Sequence, residues 1–121
     1  MARIFDLQRK STLALRRRKQ ALLNQLRPPS DLLRASYVEQ FLTCGKAACA
    51  CHQGQKHGPY VYLTLCLAVG KIRKFLLKTP AQKDQARAGA AAYSQFQEGI
   101  EELSQLNAEL LRRGESLASQ R

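Results

Sequence analysis

The stretch "SYVEQFLTCGKAACACHQGQKHGPYVYLTLCLAVGKIRKFLLKTP", residues 36–80, decides the fold. It opens with β-forming residues in strict alternation, Tyr37, Glu39 and Phe41 against Val38, Gln40 and Leu42, which predicts a strand. Two further strands are predicted over residues 60–67 and 71–78, separated by a short turn containing Gly70. In the first of these, Val61, Leu63, Leu65 and Leu67 share one face, expected to be buried, and Tyr60, Tyr62, Thr64 and Cys66 share the other. Thr79-Pro80 ends the sheet pattern and suits the N-cap and first position of a helix.

Residues 44–60, between the first two strands, hold three of the four cysteines and both histidines of the chain. A zinc ion takes four thiolate or imidazole ligands from a loop short enough to wrap it. Cys44, Cys49, Cys51 and His57 meet that demand, in a C-x4-C-x-C-x5-H spacing that matches no common paired C-x2-C class. Two rivals for the fourth position remain. His52 adjoins Cys51, which makes simultaneous coordination awkward. Cys66 lies seven strand residues beyond Pro59, about 23 Å at ~3.3 Å per residue, and reads as a half-buried strand cysteine. A disulfide framework would call for a secreted chain, and a thiol redox site would call for C-x-x-C. A catalytic zinc needs a neighbouring acid or base, yet no Asp or Glu occurs from Thr43 to Leu77. The expectation is structural zinc and no enzyme, the metal stapling the junction of strands one and two.

Such a staple suits a thin core: the 121 residues include no Trp and only four Phe and four Tyr. The length fits one domain. Its expected parts are a basic N-terminal helix (1–29), a zinc-loop sheet (30–80), a long C-terminal helix (81–114) and a frayed tail (115–121), together an α+β fold.

The net charge of +11 points to a polyanionic partner, nucleic acid before membrane surface. It lies forward in the chain: residues 1–30 carry +7 and residues 59–80 carry +4, whereas residues 81–121 carry −1. A first helix is predicted from Asp6 to Leu26, stopped by Pro28-Pro29, with Arg16, Arg17, Arg18 and Lys19 as a basic block. That block is either a solvated helix face or a phosphate contact. The Arg-rich, nearly acid-free N-terminus also has transit-peptide composition, but it ends at the prolines like a helix of the fold. No apolar run is long enough for a transmembrane helix and no secretory signal is visible, so the chain reads as cytoplasmic with no membrane partner.

From residue 81 the chain is helical in pattern for about thirty residues. Tyr93, Ile100 and Asn107 fall at heptad a positions, and Phe96, Leu103 and Leu110 at d. An Asn at a sets register in parallel dimers, so residues 86–111 are expected to bind a second copy or a protein partner. Leu106 and Leu111 widen the stripe, which equally suits a helix packed within its own domain. Gly114, after Arg112 and Arg113, supplies a helix stop.

The elements "CGKAACAC" and "HGPY", the following aromatic strand and the helical "LSQLNAELL" resemble a family of small prokaryotic proteins of unknown function. They share C-G-K-x-x-C-x-C, then H-G-P-Y, then a helix ending in L-N-x-x-L. The resemblance covers about residues 32–111 and takes in Cys44, Gly45, Lys46, Cys49, Cys51, His57, Gly58, Pro59 and Tyr60, leaving His52 and Cys66 outside. It implies no activity, and it implies an association with mobile genetic elements.

Two function classes follow. In the first, a zinc-stabilised protein binds DNA or RNA, with Arg16, Arg17, Arg18, Lys19, Lys46, Lys71, Arg73 and Lys74 as phosphate contacts. Tyr60 and Tyr62, on one strand face, are placed either to stack on bases or to pack against a helix. In the second, the chain is an adaptor that associates through its C-terminal helix.

Overall fold

The computed structural model describes residues 3–118. The element order is α1 (Thr12–Gln25), β1 (Ala35–Leu42), a short 3-10 helix (Ala50–Gln53), β2 (His57–Ala68), β3 (Lys71–Leu77) and α2 (Pro80–Arg112). This is the expected α+β architecture: a short first helix, a three-stranded antiparallel sheet and a long last helix. The chain divides into two compact units, residues 1–29 with 94–121, and residues 30–93.

The first unit is helical. α1 begins later than the predicted Asp6, because the Ser11 hydroxyl accepts the Ala14 N–H at 3.1 Å and caps the helix there. The residues before it run extended: the Phe5 N–H donates to Gln105 Oε1 at 2.8 Å, and Leu7 is buried from this non-helical segment. Leu15 and Leu22, two turns apart on α1, meet Leu106 and Leu110, one turn apart on α2. Each such leucine contributes about 1.5–3 kcal/mol on burial. At Gly99 a Cβ would stand 2.6 Å from Leu26 Cδ1, the far end of a flexible side chain, which marks close packing at this point. α2 ends as predicted at Gly114 (φ 78°), where Gly114 N–H reaches Leu111 O and Glu115 N–H reaches Leu110 O at 2.9 Å, a Schellman closure. Of the tail expected over residues 115–121, Glu115 and Leu117 carry contacts described below; residues 119–121 lie outside the described residues.

The second unit is the sheet, in order β1-β2-β3. Its core is thin: Val61, Leu63 and Leu77 on one face, with Ala86 from the start of α2. The expected four-residue buried face shrinks to two fully buried positions. Leu65 is half-buried and Leu67 is 55% exposed, because a bulge between Cys66 and Ala68 breaks the ladder beside the Gly70 turn. The first turn of α2 carries a capping box: Thr79 Oγ1 accepts the Gln82 N–H at 3.1 Å, and Gln82 Oε1 reaches back to the Thr79 N–H at 3.3 Å. Leu33 N–H donates to the Gly89 carbonyl at 3.0 Å, and a Cβ on Gly89 would meet Asp31 O at 2.5 Å.

Candidate metal centre and basic sheet face

β1 and β2 pair antiparallel, and Leu42 lies opposite His57 across an irregularity after Gln40. That pairing brings the two ends of the loop together. The loop then folds on itself: Cys49 N–H donates to Lys46 O at 3.1 Å, and the 3-10 helix carries Cys51 inward to a buried position. Gly58, at φ 134°, stands so close to β1 that a Cβ would lie 2.7 Å from Gln40 O; only glycine fits between His57 and Pro59.

The result is one cluster. The ligand atoms of Cys44, Cys49, Cys51 and His57 all lie within 4.8 Å of one another. Cys44 Sγ is 3.5 Å from Cys51 Sγ, and Cys49 Sγ is 3.2 Å from His57 Nε2. The Cys44 N–H donates to Cys51 Sγ at 3.2 Å. The Cys49 thiol is drawn down to about 6, first by the Cys51 backbone N–H and then by the Cys44 and Cys51 thiols and the His57 ring. Burial pushes the Cys51 thiol up. Three sulfurs and an imidazole gathered this way form a donor set consistent with metal binding. Both rivals stand apart: His52 is exposed, and Cys66 lies nine residues along β2 from His57, about 30 Å at ~3.3 Å per residue, its thiol against Ala68 O.

The basic residues separate into two groups. In the helical unit, Arg18 grips Glu102 through two bonds of 2.6 and 2.8 Å, which holds the Glu102 carboxyl below its ordinary value and raises Arg18. Arg16 pairs with Glu115 at 3.2 Å. Lys19 is buried and donates to the Leu117 carbonyl. Arg17 is exposed. Three of the four residues in the predicted phosphate-binding block are therefore engaged within the unit. Glu102 and Glu115 partner the two arginines and the Leu117 carbonyl partners Lys19, all from the last third of the sequence, and only the tertiary packing reveals them.

On the sheet, Tyr60, Tyr62 and Lys74 share one face, since Tyr62 lies opposite Leu76 and Thr64 opposite Lys74. The Lys74 ammonium sits 4.4 Å over the Tyr62 ring and donates to Gln40 Oε1 at 3.2 Å. Lys71 and Arg73 are exposed, but by alternation they project on the opposite face, so the basic strand does not form one patch. Lys46 is exposed on the metal loop. Val38 and Leu76, which flank Tyr62, were not singled out by the sequence. The β2–β3 hairpin register would have located Leu76; Val38 depends on strand pairing across the metal loop.

Of the heptad residues, Leu110 belongs to the core of the helical unit, beside Leu106. Tyr93, Phe96, Leu103 and Asn107 are half-buried and Ile100 is exposed. The Asn107 Oδ1 is enclosed, with no hydrogen-bond partner among the described residues. No helix among those residues is long and apolar enough to cross a membrane.

No curated protein and no solved structure matches this chain. The model of one family, a domain of unknown function (DUF6788), matches residues 12–74, from the start of α1 through the metal loop into β3. That span is just over half of the sequence, and the chain belongs to the DUF6788 family.

Proposed function

We propose that this is a small structural-zinc protein that binds nucleic acid and has no catalytic activity of its own. The observation that carries the metal reading is the Cys44–Cys49–Cys51–His57 cluster. In a tetrahedral site with Zn–S of about 2.3 Å, neighbouring ligand atoms stand about 3.5–3.8 Å apart. The Cys44–Cys51 and Cys49–His57 separations of 3.5 and 3.2 Å are close to those edges and far from a disulfide. Four protein donors leave no open position, as structural sites require. The nucleic-acid reading rests on the charge of +11 and the acid-free run from Thr43 to Leu77, which together favour a polyanion. The resemblance of the CGKAACAC and HGPY elements to small prokaryotic proteins supports a role in a cytoplasmic nucleoprotein assembly, such as that of a mobile element.

The test is elemental analysis of the purified protein beside a thiol titration before and after chelation, followed by DNA and RNA binding at several salt concentrations. One zinc per chain, thiols freed by the chelator and affinity falling steeply with salt are expected. Folded protein without metal would overturn the zinc assignment, and absence of binding at low salt would overturn the nucleic-acid assignment.

A second reading, a homodimer or adaptor through residues 86–111, is favoured by a specific feature. Ile100 and Leu111 are 41% and 64% exposed and share a helical stripe with Phe96 and Asn107, beside the stripe that packs on α1. Light scattering tests it: a dimer weakened by Ile100→Glu supports this reading, and a monomer makes the stripe intramolecular.

A further inference from the structure

Resting on the nucleic-acid reading above, we propose that the open face of the sheet, centred on Tyr60, Tyr62 and Lys74, seats a single-stranded polynucleotide. The first support is where positive charge goes uncompensated. Every ion pair among the described residues lies in the helical unit: Arg3–Glu98, Arg16–Glu115, Arg18–Glu102, and Arg112 and Arg113 with Glu109. Residues 30–93 carry nine Lys and Arg against three acids, Asp31, Glu39 and Asp84, and none of these cations is in an ion pair among the described residues.

The second support is the composition of the face. The buried residues Val61, Leu63 and Leu77 all lie on the other side, so the core occupies one face only. The open face carries Val38 and Gln40 from β1, Tyr60 and Tyr62 from β2, and Lys74 and Leu76 from β3. It has no acid, because Glu39, the one acidic strand residue, lies opposite Val61 and hence on the core side. Ile72 on this face is 68% exposed and Tyr60 is 37% exposed. Aromatic rings, a cation and apolar surface are what bases and phosphates together require, and stacking is indifferent to base identity.

The third support is spacing, which selects a single strand. Residues two apart on a strand stand about 6.6 Å apart along its axis. Bases stacked in a duplex rise only about 3.4 Å per strand step. Tyr60 and Tyr62 therefore match bases that have parted from each other, which a single strand permits and a duplex does not.

The experiment is fluorescence anisotropy on the full, zinc-replete chain with oligothymidylate and oligouridylate of about twenty nucleotides, longer than one sheet-sized site. A duplex of equal length and poly-glutamate are the comparison probes. Either single strand is expected to bind at least about tenfold tighter than the duplex, with Tyr60→Ala or Tyr62→Leu lowering affinity by roughly 5- to 150-fold. Tyr62→Phe, which keeps the ring, should bind like the parent. Lys74→Glu should lower affinity more than the charge-matched Arg27→Glu. Because Tyr62 is half-buried, Tyr60→Ala and Lys74→Glu keep the test decisive if the Tyr62 variant fails to fold. Equal or tighter duplex binding, or sheet variants that bind normally while Arg17→Glu does not, would overturn the sheet-face proposal and leave nucleic-acid binding standing. Binding of poly-glutamate alone, or of none of the probes, would overturn both.

Discussion

The helical unit and the sheet unit carry almost the same net charge and use it in opposite ways. Residues 1–29 and 94–121 hold eleven Lys and Arg against six acids, and residues 30–93 hold nine against three. In the first, cations are spent on internal partners: Arg18 on Glu102, Arg113 on Glu109, Lys19 on a main-chain carbonyl. In the second, none is in an ion pair among the described residues, and two lie over aromatic rings, Lys74 on Tyr62 and Arg87 on Tyr37. A count of charges cannot separate these cases; the location of the acids can. The cores differ in the same sense. Five buried leucines form the apolar core of the helical unit, four on the helices and Leu7 on the extended segment before them, whereas the sheet rests on three large side chains and an alanine, a deficit that the proposed metal cross-link would offset.

Breaking the cross-link should have the largest effect and should fall on one unit. Chelation, or Cys49→Ser, is expected to remove the metal and the hydrogen-exchange protection of β1–β3, leaving α1 and the α2 residues from Ser94 onward protected. Metal contributions of about 10–16 kcal/mol in zinc-finger peptides set the scale. Equal loss of protection in both units would make them one cooperative body. The converse variant, Leu106→Ala, removes a fully buried side chain and should cost about 2–5 kcal/mol in thermal or denaturant unfolding, with zinc content unchanged.

Gly58→Ala should cost about 1–3 kcal/mol, since it combines a positive φ with a Cβ driven onto Gln40 O. It should also speed zinc loss to a chelator, because His57 is its neighbour. Glu102→Gln should cost roughly 1 kcal/mol, the Arg18 partner being half-exposed. By freeing Arg18 it should raise salt-sensitive, sequence-independent binding to nucleic acid, sharpening the contrast between paired and unpaired cations.

The smallest effect is a pH dependence. Arg112 and Arg113 hold the Glu109 carboxyl down to about 2 from its ordinary 4.5. A depressed folded value stabilises above the unfolded one and is lost as pH falls through the folded one, so this contribution should fade between about pH 5 and pH 2. The difference between parent and Glu109→Gln, followed by helical circular dichroism, should be constant above that window and shrink within it.

Local rules carried much of the architecture. The alternation in residues 36–44 and 60–67, the Thr79-Pro80 start and the Gly114 stop depend on neighbours in sequence, and all reappear as elements. The four members of the metal cluster were also legible, because a loop of this length restricts which cysteines and histidines can meet. The start of α1 was misjudged where good helix formers from Asp6 onward outweighed the capping Ser11, and the buried end of β2 was misjudged where a bulge breaks alternation.

By itself, then, the sequence determined the order and type of the elements, the candidate metal-ligand set and the excess of positive charge, since each follows from composition or short-range spacing. Only the tertiary structure decided which charges are neutralised, which strand faces are covered, and that Lys74 joins the tyrosines while Arg73 does not. Those outcomes depend on strand register and pairing between residues more than 100 positions apart, such as Leu7 and Arg113, and no local pattern encodes such distances.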